Sequence, residues 1–194
     1  MVAGDDGVRR CPWAAHNPLL ADYHDAEWGL PVRDERGLYE RVMLEGFQAG
    51  LSWLTILAKR PAFRSAFADF DPDVVSTFTD EQLDALMGNS GIVRSRAKIA
   101  AARTNAAAVI ALRDVGGLEQ LIWSHRPEQV EPSSITEVPT SSPQSVALAK
   151  SLKRAGIRFI GPTSAFALME AIGMVNTHLV DCHRRPIVEA ERLR

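Results

Sequence analysis

The sequence predicts an all-α protein. Apolar residues recur at helical spacing in one segment after another, and clusters of Gly, Pro and Ser separate these segments. Valine and isoleucine are scattered and do not alternate with polar residues over strand-length runs, so a β-sheet has little support. The chain has 194 residues, of which 46% are hydrophobic and 24% charged. These values are typical of a globular protein with one compact domain or two closely packed lobes.

The helical segments follow each other in order. Helical patterns cover residues 34–58, 80–87 and 94–113. Each pattern is followed by a stop signal, namely Pro61, the turn at 88–91, and Gly116 with Gly117. Residues 127–143 hold four prolines and many Ser and Thr, which predicts a surface loop. A new helix is expected to begin at Ser142 and Pro143, a good N-cap followed by a good first residue.

The two ends of the chain are predicted to be tails. We expect a disordered N-terminal tail over 1–10, a single domain over 11–185, and a short C-terminal tail over 186–194. The first ten residues are charged and contain no apolar run, so no signal peptide is expected. No segment approaches the roughly 20 apolar residues of a membrane helix. The sequence therefore predicts a cytoplasmic monomer without membrane contact.

The net charge of −2 argues against a protein that coats nucleic acid through bulk charge, but it leaves room for a local basic face. Two clusters are candidates for such a face: Arg94, Arg96, Lys98 and Arg103, and Lys150, Lys153, Arg154 and Arg158. Either cluster alone is more often a solvated helix surface.

Residues 151–173 are predicted to form a helix, a short connection and a second helix. Gly156 ends the first helix, and Gly161 with Pro162 opens the second. The free backbone N–H groups after Gly161 and the helix dipole suit a phosphate. Lys153, Arg154 and Arg158 lie nearby in sequence, which makes this hairpin a candidate DNA-binding element. The alternative is an ordinary antiparallel helical hairpin without a ligand.

The segment after the hairpin reads Met174-Val-Asn-Thr-His178. It resembles the Val-Asp-Thr-His segment of helix-hairpin-helix DNA glycosylases, in which the aspartate is the catalytic carboxylate. Here the position holds Asn176, which cannot carry that charge and is interpreted as a helix N-cap. An acidic group for catalysis must then come from elsewhere in the chain.

Two cysteines and two histidines form a candidate metal site. His178 and Cys182 lie four residues apart on a predicted helix, and Cys11 and His24 lie near the other end of the chain. Four Cys and His ligands suit a closed tetrahedral zinc site, which would clip the N-terminal segment to the C-terminal one. Two alternatives remain: His183 competes as a ligand, and Cys182 is equally compatible with a buried thiol.

Glu45 is the candidate catalytic carboxylate. On a helix over 34–58, it falls on one apolar face with Leu38, Val42, Ala49 and Ile56, and Trp53 flanks that face. A glutamate there should be buried or line a pocket, where an unpartnered charge is costly. The alternative is that Arg41, one turn earlier, pairs with it. Trp13, Tyr23 and Trp28 add aromatic rings that suit a pocket for a planar base, and equally suit a core.

Taken together, three segments resemble the DNA-3-methyladenine glycosylase I family: CPWAAHNPLLADYHDAEWGLPVRDERGLYERVMLEGFQAGLSW, GIVRSRAKIAAARTNA and LKRAGIRFIGPTSAFALMEAIGMVNTHLVDC. The similarity runs in order from about Cys11 to Cys182 and is weakest over 114–132. It implies a helix-hairpin-helix glycosylase fold with a structural Zn²⁺ held by Cys11, His24, His178 and Cys182. It also implies a 3-methyladenine pocket formed by Tyr23, Trp28, Glu45 and Trp53, with Trp13 close by. Leu20 departs from the pattern, because some members have a pocket tyrosine there.

The resemblance implies a DNA repair enzyme, a hydrolase of N-glycosyl bonds. It would rotate 3-methyladenine out of alkylated duplex DNA and release it as the free base. With no nucleophilic lysine and no aspartate at 176, we expect a monofunctional enzyme without lyase activity. Two rival interpretations are a non-catalytic DNA-binding module and a zinc hydrolase with Glu45 as general base. The second needs an open metal position, which four Cys and His ligands would close.

Overall fold

A computed structural model describes residues 2–4, 6–48 and 50–192, and the described residues are mostly helical. The helices in chain order are α1 (Pro18–Ala26), α2 (Glu35–Gln48), α3 (Trp53–Ala66), α4 (Pro72–Val75), α5 (Asp80–Leu86), α6 (Arg96–Leu112), α7 (Gly117–Trp123), α8 (Pro143–Arg154), α9 (Pro162–Ala171) and α10 (Arg185–Arg192). Short 3₁₀ turns cover Pro12–Ala14, Ala68–Phe70, Arg113–Val115 and Ile135–Glu137. The prediction of a helical protein is confirmed.

The N-terminus is ordered in its described part, so the prediction of a disordered tail over 1–10 is wrong there. Strands β1 (Val2–Ala3) and β2 (Arg9–Arg10) pair antiparallel, which also makes the fold not strictly all-α. The buried Arg10 holds this hairpin against the body, because it forms ion pairs with Asp6 at 2.8 Å and with Asp25 on α1 at 2.7 Å.

The single helix predicted over 34–58 is two helices, so that prediction is wrong. Gly50 follows α2 in the left-handed conformation, at φ 86°, which stops the helix. Ser52 then begins α3 by accepting a hydrogen bond from the Thr55 N–H at 3.2 Å. Ala49, expected on the apolar face, lies outside the described residues. Pro61 does not end α3, which continues to Ala66 because the buried Phe63 anchors its last turns.

Helices α2, α3, α6, α7 and α9 surround the main core, with α2 in contact with the other four. Helix α2 buries Leu38, Tyr39, Val42, Leu44 and Phe47. The Tyr39 hydroxyl donates to the Ala102 carbonyl of α6 at 2.8 Å, so the one polar atom of this ring is satisfied. The helix that carries Glu45 is therefore held rigidly at the centre of the protein.

The two helices predicted on either side of the 156–161 connection are present. Ser142 caps α8 in a capping box with Ser145, and Gly156 follows the helix at φ 94°. Gly161 is the N-cap of α9, with Pro162 as the first helical residue. Gly173 ends α9 at φ 76°, and a Cβ at this position would lie 2.5 Å from the Gly29 carbonyl oxygen, so only glycine fits.

Residues 174–184 are not helical, so the prediction that His178 and Cys182 share a helix is wrong. Asn176 is not a helix N-cap either. Its side-chain oxygen accepts from the His178 N–H at 3.3 Å, and its Nδ2 donates to the Arg185 carbonyl at 3.2 Å and to Glu189 at 3.1 Å. A side chain with these partners closes a tight turn and ties it to α10.

The C-terminal tail predicted from residue 186 is also wrong over its described part, since residues 185–192 form α10. Val188 is fully buried, and the guanidinium of Arg192 donates to the carbonyls of Gly173 and Met174. These contacts offset the conformational entropy that the segment loses on ordering, and they fix it beside the end of α9. Of the described helices, none has the length and apolarity needed to cross a membrane.

Candidate active site and metal centre

A cavity of about 560 Å³ opens between α1, α2, α3, α9 and the loop at 135–140. All five residues predicted to bind the base line it: Trp13, Tyr23, Trp28, Glu45 and Trp53. Leu20 also lines the cavity, at the position where the family resemblance implies a tyrosine in some members. The structure thus brings together five predicted residues that lie up to 40 positions apart in sequence. The walls of the cavity are largely aromatic and apolar.

Glu45 is buried in this cavity, and no cationic side chain of the described part of the chain pairs with it. It is 4% exposed, and its Oε2 has no hydrogen-bond partner among the described residues. Burial, and then the nearby carboxylate of Glu170, raise the pKa of Glu45 to about 8. Arg41, the alternative partner, instead contacts Glu27 at 3.2 Å and Glu40 at 3.5 Å. Glu45 is therefore a wall of the cavity and not half of an ion pair.

The aromatic residues are arranged around the same space. The rings of Tyr23 and Trp53 are 5.4 Å apart, and those of Trp13 and Trp28 meet edge to face at 5.0 Å. Trp53 Nε1 is a second buried polar atom without a hydrogen-bond partner among the described residues. A cavity with an unsatisfied acceptor, an unsatisfied donor and aromatic walls is built for a polar, planar ligand.

A charged network behind Tyr23 was missed by the sequence analysis. Arg60 of α3 donates two hydrogen bonds to Glu27, at 2.7 and 2.5 Å, and its guanidinium lies 6.0 Å from the centre of the Tyr23 ring. Burial, and then the charge of Glu45, raise the pKa of Tyr23, so its hydroxyl stays neutral. Residues this far apart in sequence carry no local signal of their pairing.

Glu170 was also missed. It lies on α9, lines the same cavity as Glu45, and accepts a hydrogen bond from the Thr177 hydroxyl at 2.6 Å. Burial raises the pKa of Glu170 to about 7, although the Thr177 hydrogen bond opposes this shift. The available signal was a lone acidic residue in the otherwise apolar segment FALMEAIG.

The four predicted metal ligands converge although they come from both ends of the chain. Donor atoms of Cys11, His24, His178 and Cys182 all lie within 4.8 Å of one another, and all four residues are buried. Cys182 Sγ lies 3.4 Å from both His24 Nε2 and His178 Nδ1. Zinc bonds of about 2.3 Å to sulfur and 2.0 Å to nitrogen place tetrahedral S and N ligands roughly 3.6 Å apart. The donor set therefore fits zinc in both chemistry and spacing.

The other ring nitrogen of each histidine is already held. His24 Nδ1 lies 2.7 Å from Asp25, and His178 Nε2 lies 3.3 Å from the Trp28 carbonyl oxygen. These contacts leave one nitrogen of each ring directed at the cysteines, as expected for metal ligands. His183, the competing candidate, contacts Asp25 at 2.9 Å and stands behind His24.

The two basic clusters differ. In the first, Arg96 pairs with Asp84 and Arg103 pairs with Asp80, so these charges are locally neutralised. In the second, Lys153, Arg154 and Arg158 are exposed, as is Gly161 at the start of α9. Thr163, two residues after Gly161, lines the cavity. The predicted DNA-binding hairpin therefore adjoins the cavity, although its basic residues do not line it.

Comparison with known proteins agrees with this arrangement. A sequence model described as methyladenine glycosylase matches residues 13–185. The DNA-3-methyladenine glycosylase of Haemophilus influenzae is 44% identical over 177 residues, which cover 89% of this chain and 96% of that protein. The chain belongs to the methyladenine glycosylase family, as the sequence resemblance implied.

Solved structures show the same fold. A crystal structure of 3-methyladenine DNA glycosylase I superposes with a TM-score of 0.88 at 42% identity, covering 92% of this chain and 100% of that one. A tyrosine-to-phenylalanine variant of 3-methyladenine DNA glycosylase I, in complex with 3-methyladenine, superposes with a TM-score of 0.86 at 33% identity, covering 91% of this chain and 97% of that one.

Proposed function

We propose that this protein is a monofunctional DNA glycosylase that rotates 3-methyladenine out of alkylated duplex DNA and hydrolyses its glycosidic bond. The observation that carries the proposal is Glu45, a buried carboxyl in an aromatic cavity whose Oε2 has no hydrogen-bond partner among the described residues. Family membership supports it, and one member of the family has been solved with 3-methyladenine bound. DNA is then the partner and free 3-methyladenine the product, and we expect a cytoplasmic monomer.

The chemistry follows from the substrate. Methylation at N3 makes the adenine cationic within the nucleotide, so its glycosidic bond is weak and the leaving base needs little protonation. Aromatic walls attract a cationic ring, and Tyr23, Trp28 and Trp53 with Trp13 provide them. Glu45 can accept a hydrogen bond from the adenine amino group and, once ionised, complements the positive charge. Water completes the hydrolysis.

An asparagine at position 176 is compatible with a base that leaves without the help of a strong acid. Its side chain is an amide and not an acid, and that amide makes structural hydrogen bonds within the 174–184 turn region and to α10. No lysine lines the cavity among the described residues, which supports hydrolysis without a Schiff base and hence without lyase activity.

We propose a structural role for zinc at Cys11, His24, His178 and Cys182. When bound, the ion would clip the N-terminal segment to the turn after α9, next to Trp13 and Trp28 of the cavity. With four protein ligands the site has no open position for a water nucleophile, which disfavours a zinc hydrolase.

We propose that the helix-hairpin-helix element formed by α8, its connection and α9 binds the DNA backbone. Gly161 offers the N-terminal amides of α9 to a phosphate, and Lys153, Arg154 and Arg158 supply charge alongside. Because Thr163 joins this end of α9 to the cavity wall, a phosphate held there would bring the flipped nucleotide close to Glu45.

The deciding experiment is base release from methylated duplex DNA, with the released bases separated by chromatography. We expect 3-methyladenine as the product and intact, abasic strands that break only after alkali treatment. If the protein binds the DNA but releases no base, it is a docking module and the proposal is wrong.

A further inference from the structure

Two carboxyl groups, not one, face the candidate base site. Glu45 comes from α2 and Glu170 from α9, and both line the cavity of about 560 Å³. Among the described residues of the cavity wall they are the two acidic side chains, and the wall contains no Lys, Arg or His. Their charges are close enough that ionised Glu170 makes ionisation of Glu45 less favourable. A purely apolar pocket for a neutral base has no reason to hold two such groups.

The surroundings of the pair are otherwise neutral. Thr177 donates its hydroxyl to Glu170 Oε1, and Tyr23 of α1 stands near Glu45 with its hydroxyl protonated. The nearest cations on the Tyr23 side, Arg41 and Arg60, are both engaged by Glu27. Like charges that share a buried site without a counter-charge cannot both ionise easily, so the empty pair retains a proton near neutral pH.

We propose that Glu170 is a second specificity-determining residue of the base site, and that it forms with Glu45 a carboxyl pair that selects cationic purines over neutral ones. The inference rests on the proposed function, because it assumes that the cavity takes an alkylated base. When a cationic purine enters, its positive charge replaces a proton on the pair, and that proton leaves to solvent. A neutral purine provides no such charge, and it must bind beside the carboxyl pair without electrostatic gain.

The test compares two ligands that differ only in charge. The first is the permanently cationic 3,9-dimethyladeninium ion, and the second is its uncharged carbon analogue, in which N3 is replaced by carbon. Affinities for the cation are measured by titration calorimetry for wild type and Glu170→Gln between pH 6 and 9. Those for the carbon analogue are measured at pH 8 and above, where its more basic ring is unprotonated. Glutamine keeps the size of the side chain and its oxygen can still accept from Thr177, so a role limited to that hydrogen bond would leave both affinities unchanged.

We expect Glu170→Gln to lower the preference for the cation over the neutral analogue at least fivefold at pH 8, while the neutral analogue binds with wild-type affinity. In wild type, affinity for the cation should rise with pH because binding releases a proton. In the variant this rise should be shallower and end at lower pH, since Glu45 then ionises without an opposing charge. Glu128→Gln, which alters an exposed glutamate, is the matched control and should behave as wild type.

Several outcomes decide the matter. An unchanged preference and an unchanged pH profile in Glu170→Gln would overturn this inference while leaving the glycosylase proposal intact. Loss of both ligands in equal proportion leaves the preference unchanged and would also overturn it, and the same loss in Glu170→Asp, which keeps the charge, would identify a packing defect as the cause. If wild type binds neither ligand and releases no base from methylated DNA, the proposed function itself fails.

Discussion

The side chain of Asn105 makes both backbone hydrogen bonds of Arg158. Its Oδ1 accepts from the Arg158 N–H at 2.8 Å, and its Nδ2 donates to the Arg158 carbonyl at 3.3 Å. Asn105 is 2% exposed on α6, whereas Arg158 lies in the exposed connection between α8 and α9. The next residue, Phe159, is 43% exposed and has φ 67°, a conformation that a bulky residue rarely adopts. Asn105 therefore holds a strained connection in place from within the core.

Asn105→Ala should loosen the hairpin before it harms the rest of the fold. It removes both hydrogen bonds to the backbone of Arg158, and each such bond contributes about 0.5–1.5 kcal/mol. We expect faster amide hydrogen exchange at residues 157–161 and weaker binding to duplex DNA, with zinc content unchanged. Exchange rates equal to wild type in this segment would show that Asn105 does not control it.

Gly161→Asp should weaken DNA binding through charge alone. The backbone at Gly161 has φ −89° and a Cβ there meets no atom within 4 Å, so the substitution is not strained. Gly161→Asn is the matched control, because it has the same shape and capping ability without the charge. Fluorescence titration with duplex DNA should show an affinity drop of roughly fivefold or more for Asp relative to Asn, and unchanged binding of free base by both. Equal DNA affinities would remove the hairpin from the interface.

Glu45→Gln should reduce 3-methyladenine release by roughly 10- to 150-fold, because a hydrogen bond to a charged group contributes about 1.5–3 kcal/mol. Single-turnover rates on methylated duplex DNA provide the measurement. Asn176→Ala is the comparison: it removes structural hydrogen bonds and should lower the free energy of unfolding by about 1–3 kcal/mol, yet the folded fraction should retain its chemistry. If Glu45→Gln releases the base at the wild-type rate and folded Asn176→Ala releases none, then Glu45 is not the catalytic residue.

The contribution of Glu45 to stability should fall as pH rises from 4.5 to about 8. The pKa of Glu45 is raised in the folded state to about 8, compared with 4.5 when exposed, so the folded protein binds the proton more tightly than the unfolded chain. This contribution is fully present below pH 4.5 and is lost as pH rises through about 8. Urea denaturation between pH 6 and 9 should show a steeper decline for wild type than for Glu45→Gln. Parallel declines would contradict the raised pKa.

Cys182→Ser should remove the zinc and destabilise the protein. Native mass spectrometry should find one zinc ion per wild-type chain and none in the variant, because a serine hydroxyl is a poor replacement for a thiolate. A loss of about 3 kcal/mol would lower Tm by roughly 6–12 °C in a chain of this size. His183→Gln should keep its zinc, which separates the four ligands from their neighbour. A metal-free wild type as stable as the variant would exclude the metal site.

Local sequence patterns determined most of the helices. The capping residues Ser142 and Pro143, the glycines at 156 and 173, and the Ala-rich stretch of α6 all act through neighbours within a few residues. Capping and left-handed turns are local effects, which is why they can be read from a sequence. Residue types and spacing made the four Cys and His residues a candidate metal site, and periodicity placed Glu45 on an apolar face. The full set of pocket residues was named through resemblance to a family.

The tertiary structure decided the features that depend on distant partners. Residues 174–184 bring His178 and Cys182 together through turns instead of a helix, because Asn176 bonds to α10. The described residues near both ends pack against the body, since the buried Arg10 and Arg192 find partners on other elements. Glu170 meets the cavity of Glu45 only because α9 lies against α2. Such pairings depend on how the helices assemble in space, and no local periodicity encodes them.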